Sequence, residues 1–186
     1  MPGGSLLDKR SCRVMNDREL KQVDIYTDGG CISNPGGNGG YGVVLLYNEK
    51  RKELSGGYAN TTNNRMELMA AIKGLEALKE KCRVTIYSDS KYLTEAIEQR
   101  WIIKWMRKGW MRTKTEEVKN VDLWKRLWVM IQKHEVRFHW VRGHAGNPEN
   151  ERCDQLAAIA MNLPDLEEDV REETQGSSQI GMDLFS

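Results

Sequence analysis

The sequence is poor in cysteine and has no long apolar run. Its four cysteines stand far apart and form no C-x-x-C pair, which argues against both a zinc site and a disulfide framework. No apolar stretch approaches the ~18–20 residues that a membrane-spanning helix requires, and no signal-peptide pattern precedes the cysteines. We therefore expect free thiols, a cytoplasmic location and no attachment to a membrane.

The length of 186 residues, of which 39% are hydrophobic and 30% charged, fits one compact domain with short tails. Residues 1–20 contain Pro, Gly, Ser and mixed charges without a sustained period, which is typical of a flexible leader. Residues 164–186 are acidic and carry Ser and Gly, which favours a disordered tail. The expected folded domain therefore covers residues 21–163, and we expect it to be a monomer.

The net charge of +1 hides an uneven distribution of charge along the chain. Residues 99–133 hold ten Lys and Arg residues against three acidic residues, a net charge of +7. Residues 165–186 hold one Arg against seven acidic residues, a net charge of −6. This asymmetry predicts a body that binds a polyanion such as nucleic acid, with an acidic tail that repels nucleic acid or meets another partner.

Hydrophobic periodicity predicts the secondary structure. Alternating residues bounded by turn signals indicate strands at 23–28, 41–47, 53–58, 84–88 and 136–141. Helical spacing indicates helices at 64–81, 90–99 and 121–133, and a last helix capped by Asn147 with Pro148 in its first position. Strands two and three should form an antiparallel hairpin, whereas the helix after strand three should make a crossover that places strand four parallel to strand one.

Four carboxylates fall at the ends of strands or in helices. Asp28 is expected at the end of strand one before Gly29, Glu67 in the first turn of the long helix, Asp89 after strand four and Asp154 in the last helix. Ligands of α/β sheets gather at the carboxyl ends of strands, and crowded carboxylates repel unless they share a hard cation such as Mg²⁺. This pattern predicts a metal site.

Each carboxylate also has a structural interpretation when it is taken alone. Asp28 could form a turn, Glu67 could complete a capping box, Asp89 could cap a helix and Asp154 could be a solvated helix residue. Single residues therefore leave the choice between structure and catalysis open.

The sequence around these carboxylates closely resembles the type 1 ribonuclease H family of bacteria over roughly residues 21–163. The matching segments, in family order, are Tyr-Thr-Asp-Gly (26–29), Thr-Thr-Asn-Asn-Arg-Met-Glu-Leu (61–68), Ser-Asp-Ser (88–90), Gly-His-Ala-Gly (143–146) and Asn-Glu-Arg-Cys-Asp (150–154). The resemblance implies the ribonuclease H-like α/β fold: a five-stranded mixed sheet with helices on both faces, strands one to three antiparallel, and strands four and five parallel to strand one.

The resemblance also implies an activity and its cofactor. The expected enzyme is an endonuclease that hydrolyses the RNA strand of RNA/DNA hybrids and leaves 5′-phosphate and 3′-hydroxyl ends. Asp28, Glu67, Asp89 and Asp154 are implied to bind two Mg²⁺ ions, for which Mn²⁺ is a reasonable substitute because it also prefers oxygen ligands. His144 is implied to act in proton transfer or product release, a role that suits histidine because an imidazole can both take up and release a proton.

Recognition of the hybrid is expected from two sets of residues. The first interleaves cations with aromatic rings, which suits a phosphate backbone, and resembles the family's basic handle: Trp101, Lys104, Trp105, Arg107, Lys108, Trp110 and Arg112. At least one of its tryptophans could instead anchor the segment to the body. By resemblance, the second set contacts the RNA strand through Asn34, Asn63 and Asn64, and a DNA-strand phosphate through Thr62 and Asn120. Asn60 and Lys91 depart from the Arg and Gln of close bacterial relatives.

Two other functions remain open at this point. One is a different nuclease on the same fold, such as an integrase, transposase or resolvase, and the other is a module that binds hybrids without cutting them. A further interpretation concerns the last residues, where 181–185 resembles the short peptide by which bacterial replication proteins dock on the sliding clamp. Met182, Leu184 and Phe185 would be the docking side chains, although Gly181 departs from the usual Gln.

Overall fold

A computed structural model describes residues 20–171 of the chain. Within them, the strands are β1 (Lys21–Cys31), β2 (Gly39–Tyr47), β3 (Lys50–Tyr58), β4 (Cys82–Ser88) and β5 (Glu135–Trp140). The helices are α1 (Asn63–Glu76), α2 (Lys91–Glu98), α3 (Trp101–Arg107), α4 (Val121–Lys133) and α5 (Pro148–Met161). None of these helices is long and apolar enough to cross a membrane.

The strands form one sheet in the order β3-β2-β1-β4-β5. The pairs β1–β2 and β2–β3 are antiparallel, whereas β1–β4 and β4–β5 are parallel. Helix α1 connects β3 to β4 and supplies the crossover that a parallel neighbour of β1 requires. The predicted α/β fold with a five-stranded mixed sheet is therefore confirmed.

Hydrophobic residues are buried on both faces of the sheet. On one face Val43 of β2 belongs to a large cluster with α1, α2 and α4, and the fully buried Trp124 of α4 lies in it. On the other face the next residue, Val44, packs with Cys153 and Leu156 of α5. Successive strand residues point to opposite faces, so the alternation of β2 places one helical layer on each side.

The first strand is longer than predicted, since Gly29 does not end it. Gly29 pairs with Tyr41 of β2, and this antiparallel ladder continues as far as Cys31. The parallel ladder with β4 stops earlier, at Thr27 and Ser88. Asp28 therefore lies inside β1 and not at its end, but it is the first residue beyond the β4 ladder.

Helix α1 begins one residue before the predicted start and ends at Glu76, well before residue 81. Thr62 is its N-cap, and the Thr62 hydroxyl accepts a hydrogen bond of 3.3 Å from the backbone N–H of Arg65. With this start Glu67 lies in the second turn, so the prediction of the first turn is wrong. The third helical residue, where a capping box would have its acid, is Arg65.

The structure differs from the predicted disordered tail over residues 164–171. The backbone N–H of Ala59 donates to Glu167 O at 2.8 Å, and the N–H of Asp169 donates to Ala59 O at 3.0 Å. The Asp169 carboxylate is buried, 9% exposed, and it is hydrogen-bonded to Arg65. A buried Arg needs anionic partners, and Asp169 is one of them. This ion pair and the two backbone hydrogen bonds hold residues 164–171 against the domain.

Three predictions fall on residues outside the described range. The flexible leader was assigned to residues 1–20, of which 1–19 are not described. Residues 172–186 of the predicted tail also lie outside the described residues, and with them the clamp-binding side chains Met182, Leu184 and Phe185.

Candidate active site

Two carboxylates are brought together by the register of the central strands. Thr27 of β1 is paired with Ser88 at the end of β4, so the next residues along the two parallel strands are Asp28 and Asp89. Asp89 is not the cap of α2, because Ser90 is the N-cap and its hydroxyl accepts from the backbone N–H of Leu93. The sheet itself therefore places both acids side by side, as the strand pattern predicted.

The third carboxylate comes from α1, which lies against β1 with almost no space between the two backbones. A Cβ on Gly29 would stand 2.3 Å from the carbonyl carbon of Met66 and 2.4 Å from the nitrogen of Glu67. Only glycine permits this approach. As a result one carboxylate oxygen from each of Asp28, Glu67 and Asp89 lies within 4.8 Å of the other two.

This cluster holds its negative charges at a cost. Burial, together with the charges of Asp89 and Asp154, raises the pKa of Asp28 to about 7, although the backbone N–H of Gly29 donates to its Oδ1 at 2.8 Å. Burial and the charges of Asp28 and Asp89 raise the pKa of Glu67 well above its ordinary value. A shared cation would relieve both the repulsion and the desolvation.

The donor set fits a hard divalent cation. The three acids supply oxygen ligands of the kind that Mg²⁺ and Mn²⁺ prefer. The Oε2 atom of Glu67 is buried and has no hydrogen-bond partner, and buried polar atoms without a partner are rare in folded proteins. A metal ligated at this atom would satisfy it.

The fourth predicted carboxylate, Asp154, lies on α5, which packs on the face of the sheet opposite to α1. It is not part of the group of three oxygens within 4.8 Å. Its charge nevertheless contributes to the raised pKa of Asp28, so the two carboxylates are near each other. Whether Asp154 is a ligand stays a prediction.

Two residues beside Asp89 were missed by the sequence interpretation. A Cβ on Gly143 would lie 2.4 Å from Asp89 Oδ2, and the Trp140 indole N–H donates to the backbone carbonyl of Asp89 at 3.1 Å. The Lys91 ammonium lies 5.6 Å from the centre of the Trp140 ring. The absence of a side chain at Gly143 therefore allows the close approach of the Asp89 carboxylate.

The three histidines have different surroundings. His144 is exposed in the turn between β5 and α5, at a φ of 52°, and follows Gly143 directly. His139 is an exposed residue of β5 whose ring meets that of Tyr87 edge-on. His134 accepts a hydrogen bond from the backbone N–H of Cys82 at 3.3 Å. Of the three, His144 adjoins the carboxylate cluster through its neighbour Gly143.

Most residues predicted to contact the RNA strand or the DNA strand gather at one open cavity of about 550 Å³. Asn34, Thr62, Asn64 and Asn120 are among its lining residues. Asn63 is not on the lining, but its backbone N–H donates to Asn34 Oδ1 at 3.2 Å. The cavity thus brings together predicted contact residues that are far apart in sequence, since Asn34 and Asn120 both line it.

The basic segment separates its charges from its rings. The cations Lys104, Arg107, Lys108 and Arg112 are exposed, on or just after α3. Trp101, Trp105 and Trp110 are half-buried against the main hydrophobic cluster, and Trp105 meets Trp124 edge-on with ring centres 5.5 Å apart. The tryptophans therefore anchor the segment, and the cations form its outer surface.

Comparison with known proteins identifies the family of this chain. The family model described as RNase H matches residues 20–162. A ribonuclease H of Desulforamulus reducens is 59% identical over 152 residues, which cover 82% of this chain and 95% of that protein.

Solved structures show the same fold. LC9-RNase H1, a type 1 RNase H with the type 2 active-site motif, has a TM-score of 0.71 at 32% identity, covering 78% of this chain and 74% of that one. LC11-RNase H1, solved in complex with an RNA/DNA hybrid, has a TM-score of 0.58 at 23% identity, covering 75% of this chain and 96% of that one.

Proposed function

The chain belongs to the ribonuclease H family, and from this premise we propose that it hydrolyses the RNA strand of RNA/DNA hybrids by two-metal catalysis at Asp28, Glu67, Asp89 and Asp154. The observation that carries this proposal is the convergence of three carboxylate oxygens around a buried Glu67 oxygen that has no partner. Such a site favours Mg²⁺, with Mn²⁺ as a substitute.

The metal would be held by Asp28 of β1, Glu67 of α1 and Asp89, which directly follows β4, with Asp154 approaching from α5. When bound, the two ions supply the charge that activates a water and stabilises the leaving oxygen of a phosphodiester. The chain supplies the rigid frame: Asp28 lies on β1, Asp89 directly follows β4, which is paired with β1, and Glu67 is pressed against β1 at Gly29. Such pre-organisation is what catalysis by positioning requires.

His144 is proposed to move a proton or to help the product leave. Its exposure in the turn after β5 gives it access to solvent, and its adjacency to Gly143 keeps it beside Asp89. An imidazole changes its charge near neutral pH, which suits exchange of protons with bulk water.

The hybrid is proposed to lie across the cluster, between the open cavity and the basic segment. The exposed cations on and just after α3 would follow one phosphate backbone, and Thr62 and Asn120 would meet a phosphate of the DNA strand. Asn34, Asn63 and Asn64 would lie along the RNA strand. LC11-RNase H1, whose fold this chain shares, was solved with an RNA/DNA hybrid.

A labelled hybrid incubated with and without Mg²⁺, beside duplex RNA and duplex DNA, tests this function. We expect cleavage of the RNA strand of the hybrid alone, dependent on the metal, with 5′-phosphate and 3′-hydroxyl ends. A 2′,3′-cyclic phosphate would indicate attack by the RNA's own hydroxyl and would overturn the mechanism.

We also propose that the protein acts as a cytoplasmic monomer and that residues 181–185 dock on a sliding clamp through Met182, Leu184 and Phe185. The support is the likeness of this segment to clamp-binding peptides. Deleting residues 181–186 should abolish binding to the clamp in a calorimetric titration and leave cleavage of free hybrids unchanged. Equal binding by both proteins, or none by either, would refute it.

A further inference from the structure

The segment after α5 carries an arginine to the edge of the substrate cavity. Residues 164–171 run beside the end of β3, where the Asn60 side-chain amide donates to Glu168 at 2.9 and 2.7 Å. The backbone bonds between Ala59 and this segment add to the attachment. Arg171, the last described residue, therefore follows a segment that is hydrogen-bonded to Ala59 and Asn60.

A buried ion network fixes the position two residues before this arginine. Arg65 is 1% exposed and donates to Asp169 and, through two bonds of 3.0 and 2.8 Å, to Asp122 of α4. The hydroxyl of Thr61 also donates to Asp169, at 2.6 Å. A buried charge pair with this many partners keeps a single geometry, since breaking it is expensive.

Arg171 itself is exposed and lines the same cavity as Thr62 and Asn120. Within residues 20–171 the Arg171 guanidinium makes no hydrogen bond or ion pair, whereas Arg65, on the same lining, is neutralised by two carboxylates. Lys119 is the other cation of the lining that has no carboxylate partner within residues 20–171. Asp122 pairs with Arg65, so Glu117 is the remaining acidic residue of the lining. The cavity thus has a cation available for an anionic ligand.

From this placement we propose that Arg171 binds a backbone phosphate of the DNA strand in the cavity formed with Thr62 and Asn120, and so positions the hybrid. The inference rests on the proposed hybrid cleavage and extends it with a residue outside the segments that resemble the ribonuclease H family. Guanidinium groups bind phosphate oxygens through paired donors, which makes such a contact strong and specific.

The test compares wild type, Arg171→Ala and Arg171→Lys with Lys133→Ala, which removes an exposed cation at the far end of α4. Arg171→Ala should lower kcat/KM for the hybrid about 5- to 10-fold, mainly through KM, because one charged hydrogen-bonded contact is lost. The log–log salt slope of binding should fall by about one unit. Arg171→Lys should retain most of the slope, and Lys133→Ala should match wild type.

A second arm identifies the phosphate. Hybrids carry a single neutral methylphosphonate at successive positions of the DNA strand, and the cleavage pattern along the RNA reports the register. In wild type each neutral linkage should suppress cleavage at a fixed offset, and in Arg171→Ala this suppression should largely disappear. Suppression as strong in the variant as in wild type would overturn the proposal, even if the variant is less active.

The outcomes also separate this inference from the proposed function. Unchanged kcat/KM and salt slope in Arg171→Ala, with normal cleavage by wild type, would refute only the role of Arg171. Failure of the wild-type protein to cut any hybrid would refute the proposed function and the role of Arg171 with it.

Discussion

Gly143 lies so close to Asp89 that a Cβ on it would stand 2.4 Å from the Asp89 Oδ2. Gly143→Ala should therefore displace this carboxylate, and a misplacement of about 1 Å in an active site can cost about 10²-fold in rate. We expect that loss of cleavage, and weaker Mg²⁺ binding by calorimetry, with little change in melting temperature. Ala145→Ser, an exposed change in the same turn, is the control. Wild-type activity in Gly143→Ala would mean that Asp89 tolerates displacement.

The raised pKa of Asp28 predicts how stability depends on pH when no metal is bound. Its pKa is about 7 in the fold against an ordinary value of 3.8, so the folded state retains a proton that the unfolded chain releases. The contribution of this proton to the free energy of unfolding is fully present below about pH 4 and is lost as the pH rises through about 7.

The measurement is the melting temperature in EDTA from pH 4 to 8 for wild type and Asp28→Asn. The difference between the two should change through this range, with the Asn variant becoming relatively more stable as the pH rises. Added Mg²⁺ should stabilise wild type more at pH 8 than at pH 5, because protons compete with the ion. A difference that does not vary with pH would contradict the burial of Asp28.

His144→Ala should slow hybrid cleavage without abolishing it, since water can partly replace a proton carrier. General acid–base groups contribute about 10²–10⁴-fold, and because water takes over part of this role we expect kcat to fall by about 10²-fold at most. His139→Ala removes an exposed histidine of β5 and should leave kcat unchanged. Complete inactivity of a folded His144→Ala protein would mean that the residue holds the site together.

Asp169→Ala should strongly destabilise the fold, because it leaves Arg65 buried with one carboxylate partner fewer. Removing one partner of a buried ion pair costs about 3–5 kcal/mol. For a chain of this size that corresponds to a fall of roughly 6–20 °C in melting temperature. Glu167→Ala, an exposed change in the same segment, should have little effect, and an equal effect of the two would argue against the network.

The features that depend on neighbouring residues were predictable from sequence. Helix α4 has the predicted bounds, and α5 begins at Pro148 as predicted, because Asn147 caps it through local hydrogen bonds. The adjacency of Asp28 and Asp89 followed from one crossover rule. Such inferences need only short-range chemistry or the hand of a connection.

The features that depend on distant partners were not predictable in this way. β1 continues past Gly29 because β2 supplies an antiparallel partner there, which no local signal reveals. Asp169 resembled the other acids of the tail, yet it pairs with Arg65, 104 residues away. Its burial is decided by tertiary packing, so composition alone assigned this segment to the wrong class.

The most direct test of metal-dependent catalysis is hybrid cleavage and hybrid binding by Asp28→Asn. The substitution removes a ligand charge from the carboxylate cluster at almost constant volume, so the protein should fold. We predict hybrid affinity close to that of wild type, measured by fluorescence anisotropy, with nearly all cleavage in Mg²⁺ lost. Turnover near the wild-type rate in Mg²⁺ would contradict the assignment of this cluster as the metal site.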